Sequence, residues 1–142
     1  MIEPTAHLDT YIRDNLPPRE LWPEMDYSVL PELAAYPSRI NAAVELLDNN
    51  VDNGFAEKPV LYWGDEIWTY GDLKTRANQI AGVLVNEIGL VPGNRVLLRS
   101  ANHPMLVAAW FAVLKVGGIA IPTMPVLRER ELVYIINKAK IQ

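Results

Sequence analysis

Apolar side chains fall on one helical face in several stretches of this chain, and short aromatic or β-branched runs stand between them. Ile40, Val44, Leu47 and Val51 occupy i, i+4, i+7 and i+11, one face of a first helix, and Asn53-Gly54 supplies a stop. Val60-Leu61-Tyr62-Trp63 and Ile67-Trp68-Thr69-Tyr70 flank Gly64-Asp65-Glu66, which predicts two short strands in a tight hairpin. Thr69-Tyr70-Gly71-Asp72 has the spacing at which a hydroxyl and a carboxylate reciprocally satisfy the free amides of a helix start. The helix that follows is long. Leu73, Ala77, Ile80, Ala81, Leu84 and Ile88 line one face, Lys74, Arg76, Asn78, Gln79 and Asn86 the other, and Gly89 ends it.

Pro92-Gly93 has the residues a type II turn wants at its centre, and Arg95-Val96-Leu97-Leu98-Arg99 reads as a strand. Asn102-His103-Pro104 supplies an N-cap and a first-turn proline, and Met105 to Leu114 are all apolar, so that helix is expected to be buried on most sides. Gly117-Gly118 breaks it before the apolar strand Ile119-Ala120-Ile121-Pro122. Strand, buried helix and strand make a βαβ unit, with a right-handed crossover and parallel pairing. A last helix carries Leu132, Ile135, Ile136 and Ala139 at i, i+3, i+4 and i+7, bounded by Arg128 and Lys140. The fold class is therefore α/β. Two parallel strands and one apolar helix hold too little protein to cover a sheet of this kind, so the chain reads as a piece of something larger.

Residues 1–39 show little periodicity and contain Pro4, Pro17, Pro18, Pro23, Pro31 and Pro37, which predicts an irregular arm. Its Trp22, Met25, Tyr27, Leu30, Leu33 and Tyr36 are too apolar for a solvated tail, so the arm is expected to lie along the folded body. The plainer reading is a leader without consequence. Residues 40–142 then form the folded part.

Composition narrows the function classes. The 142 residues are 50% hydrophobic and 21% charged, ordinary globular usage, with a net charge of −4 that gives no footprint for nucleic acid or an anionic membrane. The charge is uneven: residues 1–60 carry 4 Lys and Arg against 11 Asp and Glu, and residues 61–142 carry 9 against 6. Without cysteine there is no disulfide framework, thiolate zinc site or cysteine nucleophile. Met1-Ile2-Glu3-Pro4 lacks the basic start of a signal peptide, and ten apolar residues span only about 15 Å as a helix, which argues against a membrane span. A cytoplasmic protein is the expectation.

Candidate chemistry is sparse. Neither a dinucleotide-binding glycine turn nor a Walker phosphate loop occurs, and Gly117-Gly118 reads as a helix end. His7 and His103 stand far apart without an acid or histidine at metal-ligand or base spacing, so His103 reads as a helix-start residue. Lys115 meets the dipole at the end of its helix, and Arg128 and Arg130, alternating with Glu129 and Glu131, read as a solvated helix start.

Taken in order, these elements resemble the adenylate-forming, or AMP-binding, acyl- and aryl-CoA ligases over roughly residues 40–142. Trp68-Thr69-Tyr70-Gly71-Asp72-Leu73 is similar to that family's first core motif, and Leu114-Lys115-Val116-Gly117-Gly118-Ile119-Ala120-Ile121-Pro122 to its second. Asp14-Asn15-Leu16-Pro17-Pro18 and Thr123-Met124-Pro125-Val126-Leu127-Arg128 resemble the branch that activates 2-aminobenzoate and benzoate. Two residues depart from the pattern: Asn94 stands where Asp is more frequent, and Val116 where Ala is common. The resemblance implies the N-terminal part of the large ligase domain, incomplete here. It implies a two-step reaction using ATP, Mg2+ and CoA on a small-molecule carboxylate, with no nucleic-acid or membrane partner. The phosphate loop, acid pocket and catalytic lysine of such enzymes come later in their sequences, so these residues alone are expected to be inactive, without bound cofactor, and to self-associate. By the same resemblance, Thr123, Met124, Pro125, Arg128 and Arg130 would contact the CoA nucleotide. The alternative is a binding module that uses the fold without the reaction.

Overall fold

The computed structural model describes residues 5–142, so the expectation about the Met1-Ile2-Glu3-Pro4 start lies outside the described residues. The arm contains two single-turn helices, α1 (Tyr11–Asp14) and α2 (Pro31–Ala34), and a 3-10 turn at Arg19–Leu21, on an otherwise irregular path. Its docking differs from the expectation. Met25, Tyr27, Leu30, Leu33 and Tyr36 are exposed rather than laid along the body, and it is residues 8–11 that attach to it. Leu8 and Asp9 donate their amides to Pro92 O at 3.0 Å, and the Tyr11 hydroxyl donates to Lys138 O at 2.9 Å.

The first helical stretch widens into π-helical turns over Val44–Asp48 and Val51–Phe55, and Gly54, at φ 88°, leaves helical dihedrals near the expected stop. Leu47 is fully buried, whereas Ile40 precedes the helix and is exposed with Val44. The wider turn breaks the 3.6-residue register on which that face was read. Strands β1 (Pro59–Trp63) and β2 (Glu66–Thr69) pair antiparallel with Trp63 opposite Glu66, so Gly64-Asp65 is a two-residue turn, Gly64 taking φ 57°.

Helix α3 (Tyr70–Asn86) opens on the expected reciprocal cap: Asp72 N donates to Thr69 Oγ1 at 3.2 Å and Thr69 N to Asp72 Oδ2 at 2.9 Å. Its end corrects one position. The chain reverses at Gly89 (φ 73°), Leu90 N reaches back to Leu84 O at 2.8 Å, and Leu90 enters the core while Ile88 stays 66% exposed. Strand β3 (Arg95–Arg99), helix α4 (Pro104–Lys115) and strand β4 (Ile119–Thr123) form the expected βαβ unit, β3 and β4 pairing parallel from Arg95 opposite Ile119 to Arg99 opposite Thr123. Helix α5 (Glu129–Ala139) follows and buries no residue fully.

Alanines let α3 and α4 approach closely: Ala77 and Ala81 on one, Ala108 and Ala112 on the other, all buried. Leu47 and Leu73 close one end of this contact, and Leu84, Leu90, Leu98 and Val113 the other. Burying one leucine of this kind stabilises the fold by about 2 kcal/mol. The α4 expectation needs correction, since Met105 is 40% exposed and most of its other apolar residues are only half-buried. A two-stranded sheet and one neighbouring helix cover a stripe of it and no more. Among the described residues no helix is long and apolar enough to cross a membrane.

Candidate functional site

Successive side chains of a strand point to opposite faces, so Arg95, Leu97 and Arg99 share one face of β3. The two arginines hold α5 by its two ends. Arg99 donates through NH2 to Pro125 O at 2.6 Å and to Leu127 O at 2.9 Å, fixing the loop that enters the helix. Arg95 donates from Nε to Ala139 O at 2.9 Å and from NH2 to Lys140 O at 2.8 Å, satisfying carbonyls that the helix end leaves free.

Arg95 is 1% exposed, and its remaining nitrogen serves Asp9 Oδ2 and Gly93 O. Asn94 Nδ2 donates to the same Asp9 oxygen at 3.0 Å, while its Oδ1 accepts from Val91 N at 3.0 Å. The departure at position 94 is thereby explained. A carboxylate there would face the Asp9 carboxylate, whereas the amide donates to it. The Tyr11 amide first, and then Arg95 and Asn94, lower the Asp9 carboxyl from 3.8 to about 2 against a smaller opposing effect of burial. Gly93, at φ 94°, lies so close to Asp9 that a β-carbon would strike its backbone oxygen.

The loop between these anchors carries the five predicted site residues. Thr123 ends β4, half-buried, with Oγ1 3.4 Å from Leu98 O. Met124 and Pro125 are exposed, and Leu127 N closes a turn onto Met124 O at 3.2 Å. Arg128 caps α5 in extended conformation, its amide donating to Glu131 Oε2 at 3.0 Å. Arg130 borders a shallow groove of about 410 Å³ with Leu127, Glu131, Tyr134 and Ile135. The five residues thus share one segment beside the carboxyl ends of β3 and β4, where open parallel sheets present ligand sites. Arg130 alone of the five borders the groove.

Lys115 does more than meet a helix dipole. Its Nζ lies 2.6 Å from both Asp48 Oδ1 and Asn78 Oδ1, and Asn41 Nδ2 donates to Leu114 O and Lys115 O at 3.1 Å, so the second motif is stitched to the first helix and to α3. His103 starts α4 as expected, Nδ1 accepting from Met105 N at 3.1 Å, with its ring 4.4 Å from that of Trp63. A larger groove of about 700 Å³ runs from residues 5–7 to Leu114–Gly118. Among the described residues no three His, Asp or Glu side chains gather to hold a metal ion.

Sequence reasoning passed over Arg95 and Arg99. A charged residue at each end of an apolar strand reads as a solvated terminus. Apart from Gly93 O, the partners of their side chains lie at residue 9 and residues 125–140, and no local spacing signals them.

The family model for AMP-binding enzymes matches residues 47–142. Malpinin synthetase of Mortierella alpina is 37% identical over 83 residues, which are 58% of this chain and 1% of that protein. The 3-hydroxybenzoate–CoA ligase of Aromatoleum sp. (strain CIB) is 29% identical over 98 residues, 69% of this chain and 18% of the ligase. Among solved structures, the anthranilate CoA ligase AuaEII in complex with anthranoyl-AMP superposes with a TM-score of 0.67 at 28% identity, over 82% of this chain and 21% of that one. The chain therefore spans about a fifth or less of the length of these relatives.

Proposed function

Since the chain belongs to the AMP-binding enzyme family, we propose that it supplies the N-terminal scaffold of an AMP-forming acid–CoA ligase acting on an aromatic carboxylate such as benzoate or 2-aminobenzoate. In the first step the carboxylate oxygen attacks the α-phosphorus of ATP and pyrophosphate leaves. In the second the CoA sulfur attacks the acyl carbonyl of the adenylate and AMP leaves with the bonding electrons. Mg2+, bound elsewhere in the enzyme, would offset phosphate charge in the first step. The residues described here bind no metal in this reading. They build the α3–α4 core and hold one wall of the site in place.

The observation that carries the reading is the way the two motifs are joined. The first caps α3, the second ends α4, and Lys115 crosses between them to Asn78. The aromatic preference rests on likeness to the 3-hydroxybenzoate–CoA and anthranilate CoA ligases. Residues 1–39 serve as the arm, and residues 40–142 as part of the large domain.

The proposed contact with CoA is the segment Thr123-Met124-Pro125 with Arg128 and Arg130. A short exposed turn lets an adenine ring lie against apolar atoms, and guanidinium groups bind phosphate through paired, charge-assisted hydrogen bonds. Arg99, by holding two carbonyls of this turn, is its positioning residue. The enzyme extended through the remainder of the ligase domain tests the reading: benzoate or 2-aminobenzoate should drive pyrophosphate release, and CoA should then release AMP. Release driven by aliphatic acids alone would overturn the aromatic preference. Adenylate formation without transfer to CoA would point to another thiol acceptor.

A further inference from the structure

We infer that Tyr11 is a positioning residue for the proposed CoA contact: from the arm it holds the far end of α5, and so sets the aim of Arg128 and Arg130 at the near end. The inference rests on that contact being the one CoA uses. Helix α5 buries no residue fully, so packing within this chain does little to fix its direction. Directed bonds at its two ends do so instead. At the entry Arg99 holds Pro125 O and Leu127 O. At the exit the carbonyls of Lys138, Ala139 and Lys140 accept in turn from the Tyr11 hydroxyl at 2.9 Å, Arg95 Nε at 2.9 Å and Arg95 NH2 at 2.8 Å. A helix end leaves such carbonyls without partners of its own, so donors placed there also choose where the helix points.

Tyr11 is itself held in place. Its amide donates to Asp9 Oδ1 at 3.0 Å, and its ring centre lies 5.0 Å from the Arg95 guanidinium carbon, within reach of a cation–π contact. The other Asp9 oxygen accepts from Arg95, Asn94 and Gln142. Arm, β3 and the end of α5 are thereby joined in a closed ring of bonds made wholly by residues of this chain. Arg130 stands eight residues before Lys138, about 12 Å along the helix axis. A tilt of about 5° pivoting on the Lys138 end therefore displaces it by about 1 Å, a shift on the scale that spoils a positioned contact. Paired, charge-assisted bonds to phosphate depend on distance and angle in this way.

Y11F, made in the enzyme extended through the remainder of the ligase domain, gives the test, since it removes one hydroxyl and keeps the ring against Arg95. Adenylate formation should stay near that of the parent, while the CoA concentration for half-maximal thioester formation should rise by about threefold or more. Added to R128A/R130A, Y11F should raise that concentration no further, because residues that act through one another are not additive. The same fold-loss in both backgrounds overturns the inference, since a tyrosine that only supports the fold acts whether or not the arginines are present. Equal loss of both half-reactions in Y11F overturns it for the same reason. An unchanged CoA dependence in Y11F beside a raised one in R128A/R130A removes this inference alone, and means that the remainder of the domain aims α5. If R128A/R130A itself leaves the CoA dependence unchanged, the CoA contact falls and this inference falls with it.

Discussion

Replacing Arg95 by Met leaves the carbonyls of Gly93, Ala139 and Lys140 and the Asp9 carboxylate without their donor. Carbonyls that lose their donor in this way cost about 2 kcal/mol together. Urea denaturation should record that loss, and a loss below about 1 kcal/mol, the scale of a surface ion pair, would deny Arg95 its part in the fold. Asp9 adds a pH dependence. Its folded carboxyl is lowered from 3.8 to about 2, so the stability it contributes is full above about pH 4 and fades as pH falls through about 2. The denaturation midpoint of D9N should therefore lie below the parent's at pH 6, and the gap should close toward pH 2. A constant gap would show that the carboxylate charge has no part in it. At the proposed CoA contact, R128A and R130A in the extended enzyme should each raise the CoA concentration needed for half-maximal thioester formation while adenylate formation stays near normal. Equal loss in both half-reactions would mean damaged packing. The Arg95 network could not be read in the sequence, because every partner of its side chain but Gly93 stands 44 to 86 residues away. The loop Thr123–Arg128 follows β4, the strand that the second motif predicts, whereas its tie to Arg99 carries no local signal.

Elements whose signals are local were legible. The Thr69–Asp72 cap, the Pro92-Gly93 turn, the β3–α4–β4 order and the hairpin at Gly64-Asp65-Glu66, whose Glu66 is already the first residue of β2, all follow from residues within a few positions of one another. Errors arose where register depended on geometry that periodicity does not encode. Ile40 stands before the helix begins, the π-helical widening puts Val44 off the buried face, and the reversal at Gly89 puts Leu90 where Ile88 is expected. The cap gives a prediction at this scale. T69A removes the oxygen that accepts from Asp72 N and should lower stability by about 1 kcal/mol. The Asp72 carboxyl is lowered chiefly by the Thr69 amide and then by its hydroxyl. Its contribution is therefore present above the usual carboxylate range and lost as pH falls below it. A T69A chain as stable as its parent in urea would mean that α3 is held by its packing alone.

At the scale of the molecule, the aromatic arm is expected to lie along the body, yet Met25, Tyr27, Leu30, Leu33 and Tyr36 are exposed and the attachment is made at residues 8–11. The α3–α4 contact is the part with a true core, and α5 hangs from β3 by two arginines. In the proposed reading such a unit positions a wall of a site, and among its described residues there is no metal cluster. Pyrophosphate release tests the central claim most directly, measured with ATP, Mg2+, CoA and benzoate or 2-aminobenzoate. Two samples are compared: these 142 residues alone, and the same residues joined in register to the remainder of an anthranilate CoA ligase. The chain alone should match a blank without protein, and the joined enzyme should release pyrophosphate in proportion to the aromatic acid supplied. Turnover by the 142 residues alone, or a folded joined enzyme that releases none with any carboxylate, would contradict the assignment of this chain as the scaffold of an acid–CoA ligase.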